Sequence, residues 1–227
     1  MELVDAMRSQ NACRYYKPDA VPEKVFYNAV EAARFGPQGG NRQPVRFLIV
    51  TDDAKKRQLG EWYRVPWKAY FAAASAGEES IAAGSGDEKA TNITMTNPQK
   101  ALADADNFAD NFGEHPAIVV VLADLADTHP TDTDLGRLSI VGGASVYPAA
   151  QNFCLALRNQ GVATTLTTLL CMYEPQVKEL LGIPDNLATA AFIVAGYPAK
   201  TFPTKLFRRP VEEIAFVNSL DRPLSKG

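Results

Sequence analysis

The stretch from residue 33 to residue 50 constrains this chain most, because a helix end, a polar glycine-rich loop and a buried strand follow one another there. Gly39 and Gly40 permit backbone conformations that other residues avoid, and they let a flat ligand approach the main chain. Pro37 and Pro44 restrict the backbone at both ends of the loop. Amide donors and acceptors lie between the prolines, on Gln38, Asn41 and Gln43. The loop is either an ordinary helix-to-strand connection or a ligand-binding segment.

Along the whole chain, helical and strand-like patterns alternate, which is typical of an α+β fold. Helices are predicted over residues 2–10, 22–33, 52–74, 98–112, 135–160 and 174–181, with Pro148 kinking the fifth. Strands are predicted over residues 46–51, 117–122, 162–166 and 190–195, and residues 210–217 are a further candidate. Small and polar residues from 76 to 97 predict a surface excursion. Residues 1–227 are expected to form a single domain.

Composition excludes several classes of function. The chain of 227 residues is 46% hydrophobic and 22% charged, as expected for a globular protein. A net charge of −3 gives no reason to expect nucleic-acid binding, and the basic run Lys55–Arg57 is predicted to be a solvated helix face. No apolar run reaches the ~18 residues of a membrane span. The N-terminus carries no signal-peptide pattern, and the cysteine count of three is odd, so we expect a cytoplasmic protein.

The sequence lacks the usual signatures of side-chain and metal catalysis. The two histidines, His115 and His129, and the three cysteines show no metal-ligand spacing, so no metal site is predicted. No Gly-x-Ser-x-Gly elbow occurs, and His115 precedes a proline at a strand entrance, which favours a structural position. No Gly-x-Gly-x-x-Gly follows the first strand, so a nicotinamide cofactor is not expected to occupy a dedicated dinucleotide fold.

Seven segments, taken in order, resemble the FMN-dependent nitroreductase family. Each is weak alone, but their order and spacing across nearly the whole chain make the resemblance specific. The segments are Arg14–Asp19, Gly36–Pro44, Gln151–Phe153, Gly161–Thr165, Glu179–Pro184, Ile193–Pro198 and Arg208–Glu213.

The resemblance implies a nitroreductase-like fold, in which helices wrap a small mixed, mainly antiparallel sheet and the C-terminal tail can add a strand to the partner subunit. It implies a homodimer with flavin sites at the subunit interface. Bound FMN would take hydride from NADH or NADPH and reduce a small aromatic acceptor, such as a nitroaromatic or a quinone, in a ping-pong sequence. Reductive dehalogenation, flavin fragmentation and a non-catalytic FMN-binding role remain open alternatives.

By resemblance, the two ends of the chain supply the phosphate and ribityl contacts. Arginine is suited to phosphate because its planar fork donates hydrogen bonds in pairs. The candidates are Arg8, Ser9, Gln10 and Arg14 near the N-terminus, and Lys205, Arg208 and Arg209 near the C-terminus. Many family members read Arg-Arg-Ser-x-Arg where this chain has Gln10 to Arg14. A two-residue difference in spacing would let Arg8 take the earlier role, and Arg14 could instead be a structural partner of a carboxylate.

The resemblance also assigns three elements to the flavin ring. The loop would lie along the flavin of the other subunit through Pro37, Gln38, Gly39, Gly40 and Asn41. Ser145 either reaches across the interface or is a small residue at a helix contact. A backbone N–H among Leu166, Thr167 and Thr168 would point to flavin N5, although threonines also suit a plain strand. An aromatic group either covers the pocket or belongs to the core: Trp62, Tyr63, Trp67, Tyr70, Phe71, Phe108 and Phe112. No catalytic side chain is predicted.

Overall fold

The computed structural model describes residues 1–75, 98–203, 206 and 208–226. Its helices are α1 (Leu3–Ser9), α2 (Glu23–Ala33), α3 (Asp53–Ser75), α4 (Pro98–Asp110), α5 (Tyr147–Asn159) and α6 (Glu174–Leu181). Its strands are β1 (Val45–Val50), β2 (Ala117–Asp124), β3 (Ala163–Thr167) and β4 (Leu187–Gly196). The predicted excursion over residues 76–97 lies outside the described residues. None of the helices in the described ranges has both the length and the apolar character that a bilayer span demands.

The sheet is a layer between two groups of helices. Its strand order is β1-β2-β4-β3, and all three neighbouring pairs are antiparallel. Along β2, side chains alternate between the two faces: Val119 packs with α2 and α5, and Val120 packs with α3, α4 and α6. Because both faces are covered, β2 is buried from Ala117 to Ala123, which explains its continuous apolar run.

The α+β fold class predicted from the sequence is confirmed, but the expected mixed sheet is antiparallel throughout its four described strands. Parallel pairing occurs in the described part of the chain as one isolated bridge, between Ala12 and Thr164. The candidate strand at 210–217 is wrong: Val211–Glu213 forms a 3₁₀ turn, and Phe216 then pairs with Pro223 in a short local bridge. This tail satisfies its backbone groups locally rather than extending the sheet.

The predicted helix over 135–160 is wrong in its first half. Residues 135–146 form turns, and α5 begins at Tyr147 with Pro148 in its first turn, where a missing N–H breaks no helical bond and causes no kink. Asp132 organises the turns, because its carboxylate accepts hydrogen bonds from Ser139 Oγ at 2.6 Å and from the Ile140 N–H at 2.9 Å. The Ser139 hydroxyl, with the Ile140 N–H, lowers the pKa of Asp132 to about 2.

The sequence predicted a fully solvated basic run at the start of α3, and this prediction is wrong for one of its three residues. Lys55 and Arg57 are exposed, but Lys56 is only 5% exposed. Its Nζ donates to the His115 carbonyl at 2.9 Å and lies 3.1 Å from an Asp53 carboxylate oxygen. These acceptors replace water around the buried charge, so Lys56 joins α3 to the start of β2.

The aromatic residues of α3, α4 and the turn at 112–114 mainly build the core. Tyr63 and Phe112 are buried and stack with ring centroids 4.1 Å apart. Phe108 is also buried, and Trp67 donates its indole N–H to Asp106 at 2.9 Å. Three further rings are partly buried against the same core: Trp62, Tyr70 and Phe71. The core interpretation therefore holds for the fully buried members of this group.

Candidate functional site

The N-terminal segment runs along the free edge of β3. Cys13 donates its backbone N–H to the Thr164 carbonyl at 3.1 Å, and Thr165 Oγ1 donates to the Cys13 carbonyl. Gln10 Nε2 donates to Thr164 Oγ1 at 3.3 Å, and the Tyr16 hydroxyl lies 2.9 Å from Thr165 Oγ1. These contacts hold residues 10–16 beside the strand and place Gln10 and Arg14 near its start.

The C-terminal segment returns to the same place. The Tyr197 carbonyl accepts from the Lys17 N–H at 2.8 Å, and the Ala199 N–H donates to the Tyr15 carbonyl at 2.9 Å. Further on, the Leu206 N–H donates to the Arg8 carbonyl at 3.2 Å. The structure therefore brings the backbone of Arg8 next to the segment that leads to the exposed Arg208 and Arg209. Lys205 lies outside the described residues.

A cavity of about 370 Å³ opens between these two segments. It is lined by Asn11, Ala12, Cys13, Arg14, Tyr15, Asp104, Ala163, Pro198, Lys200, Thr201, Phe202 and Pro203. Its positive charges are on Arg14 and Lys200. Its one carboxylate, on Asp104, is 2.8 Å from Lys100 Nζ and accepts from the Tyr15 hydroxyl at 2.6 Å, and these bonds lower its pKa. The cavity is thus suited to an anionic ligand.

Arg14 is held by an aromatic ring rather than by a carboxylate. Its guanidinium carbon lies 5.1 Å from the ring centroid of Phe108, which is a cation–π contact. None of the ion pairs between described residues includes Arg14. The alternative that Arg14 is a structural partner of a carboxylate therefore has no support in the described part of the chain, and Arg14 is one of the residues that line the cavity.

The glycine-rich loop forms a separate surface. Gly39–Asn41 is a 3₁₀ turn in which Gly40 has φ of +60° and Asn41 has φ of +52°. Because glycine adopts a positive φ readily, this left-handed backbone explains why position 40 is a glycine. Ser145 lies in the turn before α5, not within a helix, and its Oγ accepts the Gly39 N–H at 3.0 Å. A cavity of about 380 Å³ is lined by Pro37, Gln38, Gly39, Ser145 and neighbouring residues, and it shares no lining residue with the first cavity.

The end of β3 is partly exposed next to the aromatic core. Leu166 is 40% exposed, whereas Thr165 is buried, as alternation along a strand requires. Thr167 Oγ1 lies 3.5 Å from the Tyr63 hydroxyl and accepts the Leu169 N–H at 3.4 Å. Thr168 is exposed, just after the strand ends. A planar ligand could therefore approach the backbone at 166–168.

Sequence reasoning missed Arg158 and Lys200. Arg158 Nε donates to Ser9 Oγ at 3.0 Å, and Ser9 is buried although it was predicted to meet ligand. The Lys200 ammonium lies 3.6 Å from the Tyr15 ring centroid. Both contacts join residues far apart in the chain, and no local spacing signals them.

We expect Ser145→Ala to loosen the glycine-rich loop, because the Gly39 N–H loses its acceptor. The expected loss is about 1 kcal/mol in the free energy of unfolding, with faster hydrogen exchange at the Gly39 amide. Hydrogen exchange followed by NMR measures the effect, and Ser145→Thr, which keeps a hydroxyl, is the control. An unchanged exchange rate in Ser145→Ala would contradict the role of this contact.

Known proteins resemble the chain over most of its length. The family model described as "Nitroreductase family" matches residues 7–197. YfhC of Bacillus subtilis strain 168, named an NAD(P)H nitroreductase, is 24% identical over 212 residues, covering 93% of this chain and 91% of YfhC. The iodotyrosine deiodinase of Nematostella vectensis is 23% identical over 214 residues, covering 94% of this chain and 74% of the deiodinase.

Solved structures show the same fold. A crystal structure of oxidised iodotyrosine deiodinase bound to FMN and 3-iodo-L-tyrosine superposes with a TM-score of 0.68. The sequence identity is 21%, and the match covers 96% of this chain and 100% of that one. The likeness therefore extends over nearly the whole length of this chain.

Proposed function

The chain belongs to the nitroreductase family, and on that premise we propose that it is an FMN-dependent oxidoreductase supplied with electrons by NADH or NADPH. The observation that carries the proposal is the meeting of the two chain ends around a cavity that contains Arg14 and Lys200, beside the start of β3. A relative named an NAD(P)H nitroreductase and a structural neighbour bound to FMN support the cofactor and the donor.

The residues around the cavity suit a mononucleotide phosphate. We assign phosphate and ribityl contacts to Arg8, Gln10, Arg14, Lys205, Arg208 and Arg209, with Lys200 as an addition. Ser9, which is buried and hydrogen-bonded to Arg158, is assigned to the support of the site. Arg14 is partly buried over Phe108, where its attraction to a phosphate is screened less than at an exposed site. We assign the ring edge to the backbone at Leu166, Thr167 and Thr168, whose N–H groups can hold a hydrogen-bond acceptor in place.

When bound, FMN supplies the hydride acceptor and the electron donor of the reaction. The protein positions the reactants and excludes water, and no acid or base side chain is needed in this proposal. The buried rings of Tyr63, Phe108 and Phe112 form a rigid wall behind the end of β3. Because these rings are packed together, the wall keeps its shape when a substrate enters or leaves.

We propose a homodimer in which each subunit completes the other's site. We assign the loop of Pro37, Gln38, Gly39, Gly40 and Asn41 to the partner's flavin. Its first three residues, with Ser145, line a cavity that shares no residue with the one beside Arg14. Very exposed apolar side chains support a covering partner: Leu138 is 89% exposed, Leu220 82% and Ile140 80%. Sedimentation of the FMN-loaded protein tests this proposal, and a flavin-loaded monomer would contradict it.

For the acceptor we propose electron-poor aromatic compounds, nitroaromatics and quinones. The second candidate is reductive dehalogenation of a halogenated phenol, which the relatives named iodotyrosine deiodinase favour. We further propose that residues 1–227 act as one domain in the cytoplasm. The three thiols, on Cys13, Cys154 and Cys171, are unpaired, as in a reducing compartment.

Anaerobic stopped-flow reduction tests the proposed activity. Purified protein loaded with FMN should lose its flavin absorbance at about 450 nm on mixing with NADH or NADPH, and regain it with a nitroaromatic, a quinone or a halophenol. The acceptor that restores the absorbance fastest decides between the two candidate reactions. Protein that is bleached by dithionite but by neither nicotinamide, or that cannot be loaded with FMN, would overturn the proposal.

We expect Arg14→Ala to weaken FMN binding about 10- to 100-fold, because a charge-assisted contact is lost from a partly buried site. Fluorescence quenching during FMN titration measures the affinity. Arg57→Ala removes the same charge from an exposed position of α3 and should leave the affinity unchanged. Equal affinities for Arg14→Ala and the parent protein would show that Arg14 does not contact the cofactor.

A further inference from the structure

Arg158 is held in one orientation by two segments that are remote in sequence. It lies in the last turn of α5, where its Nε donates to Ser9 Oγ at 3.0 Å. Ser9 Oγ itself donates to the Asp5 carbonyl at 2.6 Å, so its lone pairs remain available to Arg158. On the other side, the guanidinium carbon lies 3.6 Å from the ring centroid of Phe202. A hydroxyl of α1 and a ring of the C-terminal segment thus fix the guanidinium plane.

Most of the hydrogen-bonding capacity of Arg158 is unused. A guanidinium has five N–H donors, and the contact with Ser9 uses one of them. Among the described residues, no carboxylate pairs with Arg158 and no other acceptor takes its remaining donors. Arg158 is partly buried, and this loss of hydration lowers its pKa. A partly desolvated, oriented cation without an anion is the arrangement of an empty anion site.

A purely structural role accounts for only part of this arrangement. A cation in the last turn of a helix interacts favourably with the helix dipole, but a solvated arginine would do this without contacts to Ser9 and Phe202. We call these two contacts the clamp. The clamp joins the elements that meet at the 370 Å³ cavity, because Phe202 lines that cavity and the Leu206 N–H is bonded to the Arg8 carbonyl. The stretch from Gln10 to Cys13, which lies against β3 in the same place, contains no cation.

We propose that Arg158 binds the phosphate of the flavin mononucleotide, with its free N–H groups donating to two phosphate oxygens while Ser9 and Phe202 hold the plane. This inference rests on the proposed function and adds a ligand from α5 to those expected from the chain ends. A planar fork suits a phosphate, since two parallel donors match two oxygens. Ser9 is then a positioning residue, not a ligand.

FMN and riboflavin differ only in the phosphate, so comparing their affinities isolates the contact between Arg158 and the phosphate. In the apoprotein, Arg158→Ala should weaken FMN binding about 10- to 100-fold and leave riboflavin binding, which involves no phosphate, unchanged within about twofold. Arg158→Lys keeps the charge but loses the planar pair of donors. Its FMN affinity should lie between those of the parent protein and Arg158→Ala. Arg34→Ala removes an exposed arginine after the end of α2 and should change neither affinity.

Fluorescence titration of both ligands, with the melting temperature of each apoprotein, decides the outcome. Equal weakening of FMN and riboflavin would show that Arg158 only supports the fold and would overturn the inference, as would an unchanged FMN affinity. If Arg158→Ala does not fold, the FMN-to-riboflavin ratio of Arg158→Lys carries the same test, and an unchanged ratio overturns it. Failure of the parent protein to bind FMN would instead refute the proposed function, so the two failures are distinguishable.

Discussion

Replacing Gly113 by alanine is expected to destabilise the protein by about 3 kcal/mol or more, because no space exists for a single methyl group. A Cβ at Gly113 would lie 2.7 Å from the Lys56 carbonyl oxygen and 2.8 Å from Arg57 Cα. Both atoms belong to the backbone of α3 and cannot rotate away. The turn at 112–114 would have to move from α3 and disturb the buried packing of Phe112 against Tyr63.

Urea denaturation of Gly113→Ala measures the loss in the free energy of unfolding. Two further variants test whether the loss comes from the close approach of the turn at 112–114 to α3. Gly60→Ala should also be severe, since its Cβ would lie 2.8 Å from the Gly113 nitrogen. Gly142→Ala is the control, because its Cβ would meet only Ser139 Oγ, at 3.7 Å. Its expected effect is within about 0.5 kcal/mol. A Gly113→Ala protein as stable as Gly142→Ala would mean that the close approach of α3 is not maintained in solution.

Between pH 6.5 and pH 4 the protein is expected to lose about 3 kcal/mol of stability through His115 alone. Burial lowers the pKa of His115 from 6.5 to about 4. The ring packs against Tyr16 at 4.8 Å and Phe108 at 5.0 Å, and its Nε2 has no hydrogen-bond partner among the described residues. The uncharged ring is therefore favoured in the folded state.

The sign of the effect follows from proton uptake. As the pH falls below 6.5, His115 becomes protonated in the unfolded chain, whereas in the folded chain it stays neutral until about pH 4. The free energy of unfolding therefore falls as the pH falls. Above about pH 8 both states are neutral at this residue and the contribution is constant. Urea denaturation at several pH values from 7 to 4.5 measures the slope.

His115→Phe keeps a ring of similar shape and should flatten this slope, whatever its effect on the stability at pH 7. His129→Asn is the matched control, because His129 is exposed and its loss should leave the slope unchanged. A slope that is identical in the parent protein and in His115→Phe would show that His115 is not the group responsible.

Features that depend on near neighbours in the chain could be predicted from the sequence. Gly182 ends α6 in a left-handed conformation with φ of +68°, as the glycine after an apolar helical pattern indicated. The Asp52 side chain caps α3 by accepting the Lys55 N–H at 2.9 Å. The unbroken apolar run from Ala117 predicted the central buried strand, and the order of the short motifs predicted the family.

Features that depend on distant neighbours could not be predicted. Residues 135–146 have a helical pattern, yet the buried Asp132 binds Ser139 and the Ile140 backbone and so stabilises turns there. Lys56 looks like a surface residue, yet its ammonium lies buried on the His115 carbonyl, 59 positions away. In both cases tertiary contacts outweigh local preference, because a buried polar group must find a partner wherever the fold supplies one.

The amino-acid sequence by itself determined the helices and strands of the sheet layer and the family, because periodicity, capping and turn preferences act over a few residues. Only the tertiary structure decided which side chains share a surface. The antiparallel order β1-β2-β4-β3 leaves β3 at an edge, where residues 10–16 and the C-terminal segment can both reach it. Arg158 and Ser9 meet there although 149 positions separate them, and only the folded path of the backbone brings such a pair into contact.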